Sequence, residues 1–250
     1  MKKQTFGYGL LALLALISLT YIAISAPLLQ DEDYHHFSDT KTICGIPNFW
    51  NVISNFPFLI IGMIGIYRTN GSDNLYYPRV SFFAGIIFVA LGSAFYHYDP
   101  NSRSLLLDRL PMTIAFMSLC ALLVGEFINK KAGKILLIPF ILCGIASILY
   151  WILSGDLRLY ALVQFYPMLA IPVVLLFFSN RAAQGKHYWF LLVAYVIAKL
   201  CEHFDQQIHE AIGIISGHSL KHIIAAIGIL NVAMTGKKTG RVVPPEPISS

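Results

Sequence analysis

Eight long apolar runs dominate the chain: Phe6–Ile24, Phe49–Tyr67, Val80–Tyr96, Leu110–Ile128, Ile135–Leu153, Leu157–Phe178, His187–Cys201 and Leu220–Met234. Most are close to the length that a helix needs to cross a bilayer. In lipid only helices and closed barrels satisfy every backbone polar group. The alternating ten-residue strands of a barrel are missing from the pattern. The expected fold class is therefore an all-α membrane protein, a seven-transmembrane-helix bundle preceded by an extra N-terminal hydrophobic helix or signal segment. Composition agrees, since 12% charged residues is about half of what a soluble domain carries.

Residues 1–26 open with "MKK" and end in "AISA" just before Pro27, which suits a signal peptide or an uncleaved signal-anchor. Residues 27–236 form the expected bundle, and 237–250, polar and proline-rich, a disordered cytoplasmic tail. The net charge is +5, but the basic residues sit between apolar runs rather than on one face, so nucleic acid is not an expected partner. Lys2, Lys3, Arg68, Arg79, Lys130, Lys131, Lys134, Arg181, Lys186, Lys237, Lys238 and Arg241 fall on one side. Asp31, Glu32, Asp33, Asp39, Asp99, Asp108, Asp156, Glu202, Asp205 and Glu210 fall on the other. The positive-inside rule makes the first side cytoplasmic. Cys44, Cys120, Cys143 and Cys201 form no C-x-x-C pair and predict no disulfide framework.

The polar residues that carry chemistry gather on the acidic side. In "SGHSLKH", His218 and His222 are one helical turn apart and share a face. In "GSAFYHYDPNSRSLLLDRLPM", Ser93 and His97 have the same spacing, and Asp108 opens the following helix. His97, His218 and His222 make three neutral nitrogen ligands, the number that a catalytic zinc ion usually takes from protein. Asp108 beside such an ion suits a general base and Ser93 an oxyanion donor. The plainer readings are interfacial histidines, a helix-capping aspartate and a packing hydroxyl. His35 and His36 lie in an outer loop, His187 on the cytoplasmic side, and His203 and His209 in the polar cap. Lys199, Glu202 and Asp205 lie roughly on one face, as an ion-paired cluster or as carboxylates that orient an imidazole.

"GSAFYH", "LLDRLPM" and "SGHSLKH", with "GIPNFWNVISNFPF" before them, resemble the motifs of the alkaline ceramidases. These are seven-helix zinc amidases within a wider superfamily of membrane hydrolases and receptors, and the resemblance spans roughly Asp39 to Met234. It implies that His97, His218 and His222 hold zinc, that Asp108 transfers the proton and that Ser93 lies beside the metal. It also implies a site open sideways to lipid that cleaves N-acyl sphingoid bases to fatty acid and sphingoid base. Two features depart from the eukaryotic pattern. Asn48 stands where that family has a glutamate calcium ligand just before "FWN", leaving Asp39 as the candidate calcium ligand. The apolar segment before the acidic stretch is additional. The start of the chain suits a bacterial inner membrane, with the active site on the outer, periplasmic side.

The expected function is a zinc-dependent, membrane-embedded amidase acting on ceramide-like lipids. The same zinc site could serve another lipid ester or amide. A non-catalytic receptor or proton-coupled carrier is a third reading, but a relay should carry charge through the bilayer midplane. Haem ligation is the weakest of these readings, because two histidines on one helix face cannot approach a ring from opposite sides. The sequence leaves the headgroup, acyl length and oligomeric state open.

Overall fold

The computed structural model describes residues 2–178 and 182–235, and among these it is helical, with only isolated bridges for β-structure. The elements are α1 (Lys2–Ile24), α2 (Phe49–Ile53), α3 (Phe56–Tyr67), α4 (Tyr76–Tyr98), α5 (Ser102–Leu123), α6 (Lys130–Ser154), α7 (Arg158–Phe177), α8 (Ala182–His203), α9 (Asp205–Ile212) and α10 (Gly217–Ala233). Six spans are long and apolar enough to cross a membrane: α1, α2 with α3, α4, α5, α6 and α7. A seventh counts if α9 and α10, bent by 100° at their junction, form one span. Helix α8 is as long, but Lys186 and His187 polarise one end, and Lys199, Glu202 and His203 the other.

Local chemistry moves several boundaries away from the apolar runs. Asn101 and Ser104 form a reciprocal capping box that starts α5 at Ser102. Asp108 therefore lies in the second turn of its helix rather than opening it, and capping is not its role. The run Phe49–Tyr67 is not one helix, because it breaks at Ser54 and Asn55 before α3 restarts with Pro57 in its first turn. Helix α10 begins ahead of its apolar run because Ser216 accepts a hydrogen bond from the Ser219 N–H as N-cap. The tail 237–250 and Arg181 lie outside the described residues.

Between lipid-facing helices the hydrophobic effect gives little drive, so close approach must come from shape. At Gly92 on α4 a β-carbon would run into the Leu107 carbonyl oxygen of α5. Pro111, four residues on, has no N–H to offer that carbonyl, so the two helices meet backbone to backbone beside Ser93. One core, including Phe83, Leu122, Ile171, Tyr188 and Val232, fills the middle of the bundle. A second, with Phe37, Tyr96, Leu105, Trp151 and Tyr160, lies at the end where the loop before α2 folds back.

The two ends are chemically different. At one, Ser38 donates to Asp205 at 2.7 Å and Leu28 N–H to Asp156 at 3.1 Å. At the other, Arg79 pairs with Glu126 at 2.7 Å and with Asp73 at 3.2 Å, and the Arg68 guanidinium donates to the Ala233 and Met234 carbonyls. The Arg79–Glu126 pair is buried, and Glu126 sits on a π-helical turn (Val124–Ile128) at the end of α5. Helix α1 packs on α7: Gly7 lies against Phe177 and Phe178, the Tyr166 hydroxyl donates to the Leu11 carbonyl, and Arg158 donates to the Ile22 and Ser25 carbonyls.

Candidate metal centre

Helix α4 carries Ser93 and His97 on successive turns, and α10 carries His218 and His222 in the same way. All four side chains are buried. One nitrogen from each of the three rings falls within 4.8 Å of the others, close enough for a single metal ion to bridge them. The ring centroids are 4.8 Å apart for His97–His218, 5.0 Å for His97–His222 and 5.1 Å for His218–His222. Among the described residues no other group of three or more histidine, cysteine or acidic side chains converges in this way.

Neighbouring groups fix each ring. Asn48 donates to the His97 carbonyl at 2.8 Å, so the residue at the family's glutamate position instead holds a histidine-bearing turn. The His218 N–H, one of the free donors at a helix start, is taken by Asp205 at 2.6 Å. Gly217 keeps α10 close to α8, since a β-carbon there would strike the Cys201 carbonyl. Phe37 covers the trio from the loop before α2, 4.7 Å from His97 and 5.1 Å from His218.

Ser54 Oγ lies 2.8 Å from His222 Nδ1 and 3.1 Å from the Asn51 carbonyl oxygen, so the hydroxyl engages Nδ1 and leaves Nε2 as the ring nitrogen turned to other partners. His97 Nδ1 is buried with no hydrogen-bond partner. Three buried imidazoles, one of them with an unpartnered nitrogen, fit a divalent ion as a donor set. Lys221 brings an ammonium to the rim, donating to His218 Nε2 at 2.8 Å and to Glu202 at 2.9 Å.

Beside the trio lies a cavity of about 320 Å³, and Ser93, Asp108 and His222 line it. Asp108 is buried beside the Ser93 hydroxyl. Most of the wall is apolar, with Phe82, Ile86, Met112, Phe116, Met168 and Leu191 among its side chains. A polar end meeting an apolar chamber suits a molecule with a small reactive head and a long chain. The family model described as Ceramidase matches residues 32–239.

The chain belongs to the ceramidase family.

It is accordingly a hydrolase of the ceramide amide bond. A comparison with the curated proteins finds no match. In this ceramidase the other expected residues distribute themselves plainly. His35 hydrogen-bonds Tyr96 and Ser102, and burial pushes its imidazole below the usual value against the pull of Glu32. His36 is exposed beside Asp33, and His209 bonds the Ser38 carbonyl. Glu202 pairs with both Lys199 and Lys221, as an ion-paired cluster should. Asp205 holds the backbone of His218, not its ring. Asp39 is buried, with Oδ1 accepting from Lys41 N–H and Oδ2 unpartnered. The four cysteines are free.

Four residues of this ceramidase site escaped the sequence reading: Phe37, Ser54, Arg109 and Lys221. Two had visible signals. Polar Ser54 and Asn55 followed by Pro57 interrupt an apolar run, and Lys221 follows His218 at the three-residue spacing of one helix face.

Proposed function

We propose that this ceramidase is a zinc-dependent, membrane-embedded amidase, with the metal held by His97, His218 and His222. The observation that carries this reading is the convergence of three buried imidazoles from α4 and α10 at the polar end of an apolar cavity. A zinc ion in that trio would polarise the amide carbonyl and make water nucleophilic near neutral pH, lowering its pKa to about 7. Asp108 takes the proton of the attacking water and returns it to the departing amine. The C–N bond then breaks to give a fatty acid and a sphingoid base. Ser93 donates to the carbonyl oxygen as negative charge develops there. The apolar wall keeps the acyl chain and bulk water apart.

The reading extends to topology. Residues 27–236 form the seven-helix unit, and α1 stays attached as an extra helix, supported by its packing on α7 and by the Arg158 bonds to its last turn. The trio faces the periplasm of a bacterial inner membrane, because Arg68, Arg79 and Lys134 belong to the opposite end. Cys44, exposed in the loop before α2, reports the side directly. In a variant with the other cysteines removed, a membrane-impermeant maleimide should label it from outside intact spheroplasts, and labelling only after lysis overturns the orientation. Calcium at Asp39 is a separate proposal supported by its unpartnered oxygen, and unchanged melting on calcium addition to chelated protein removes it.

Elemental analysis tests the core of the proposal. Wild-type protein should carry about one zinc per chain and His218→Ala almost none, with ceramide turnover lost in parallel. Equal, negligible zinc in both proteins overturns the reading. Labelled glycerolipid assayed beside labelled ceramide separates amide from ester hydrolysis.

A further inference from the structure

Arg109 follows Asp108 directly and lines the same cavity. It is 6% exposed, and its Nη1 has no hydrogen-bond partner. No carboxylate lies within ion-pair distance of it among the described residues, whereas Lys199 and Lys221 both pair with Glu202. Its guanidinium carbon stands 4.7 Å from the Trp151 ring centroid, 5.0 Å from Tyr160 and 5.4 Å from Tyr34. The Tyr34 side chain also hydrogen-bonds the guanidinium, but the ring faces that attract the charge offer Nη1 no acceptor, as an oxyanion would. The charged groups lining the cavity are three cations (Arg109, Lys199, Lys221) and two carboxylates (Asp108, Glu202). The polar end thus has one positive charge in excess before any metal is added.

We propose that Arg109 is the head-group subsite of the cavity, taking an oxyanion on the polar end of the N-acyl lipid. The preferred substrates are then anionic amide lipids, bearing a phosphate, sulfonate or carboxylate near the amide, rather than neutral ceramide. This rests on the amidase reading, because it states what that cavity selects. The released fatty acid also carries an oxyanion, but its carboxylate arises at the trio on α4 and α10. The cage around Arg109 comes from the loop before α2, α6 and α7, and a separate group of the substrate is assigned to it.

The test uses full-length, zinc-loaded protein in mixed micelles with ceramide and ceramide 1-phosphate of one acyl chain. Dissociation constants and kcat/KM are measured for wild type, Arg109→Met and Arg109→Lys, each checked for an intact melting transition. Wild type should bind the phosphorylated lipid at least tenfold more tightly and lose that margin as salt rises. Arg109→Met should reduce the preference below twofold, and Arg109→Lys, which keeps the charge without the fork, should retain part of it. Equal binding of the two lipids by wild type overturns the proposal, as does a preference that survives Arg109→Met. Ceramide hydrolysis without any preference sinks the subsite and leaves the amidase reading intact. A strong preference with no hydrolysis of either lipid does the reverse. Palmitate is added as competitor in a separate arm. If Arg109→Met relieves its inhibition while the two lipids stay indistinguishable, the oxyanion belongs to the product and the head-group assignment fails.

Discussion

At the scale of single residues, Ser54 shows how much of a candidate metal centre lies outside its three histidines. Its hydroxyl holds His222 through Nδ1 at 2.8 Å, and Nε2 is the nitrogen it leaves alone. Orienting groups of this kind typically contribute 10–100-fold to metal affinity. Ser54→Ala should weaken zinc binding by about that factor in a chelator competition while leaving the helical circular dichroism unchanged. Asp108→Asn should lower kcat by about 10²–10⁴, the usual range for a lost general acid–base, with zinc content preserved. The histidine trio was legible in the sequence because a four-residue spacing forces two side chains onto one face. Ser54 was not, since its partner lies on a helix far along the chain and no local rule pairs them.

At the scale of elements, the junctions carry more information than the spans. Asp156, between α6 and α7, accepts from the Leu28 and Arg158 N–H groups, the Tyr150 hydroxyl and the Arg158 guanidinium. The Arg158 hydrogen bond, chief among these, holds its carboxyl well below the usual range. A carboxylate with a depressed folded pKa adds stability above its unfolded value, about 3.9, and that stability fades as pH falls below it. The wild-type melting temperature should therefore drop between about pH 5 and about pH 3, and Asp156→Asn should flatten that slope. Gly92→Ala should cost about 1–3 kcal/mol through the clash with the Leu107 carbonyl, measured by denaturant unfolding in detergent. Apolar periodicity located the spans, but the start of α5, the break before α3 and the bend before α10 are set by caps and polar pairs. Helix boundaries of that kind do not appear in hydropathy.

At the scale of the whole molecule, the chain segregates its chemistry by depth. The trio and cavity mouth occupy one end, and the Arg79–Glu126–Asp73 lock occupies the other. Glu126→Ala should destabilise by less than the about 3–5 kcal/mol of a fully unpaired buried charge, because Asp73 still pairs with Arg79, and Arg79→Met with Glu126→Leu should come closer to neutral. Charge placement between the apolar runs made the two ends legible in the sequence. The buried lock was not, because a lone glutamate inside an apolar run does not announce its partner. The trio has a mechanical consequence as well. His97 belongs to the first half of the bundle and the other two rings to its last helix, so an ion there acts as a clasp across almost the full circuit of helices. Chelation should then loosen the entire fold as well as silence it, lowering the melting temperature in step with the logarithm of free zinc.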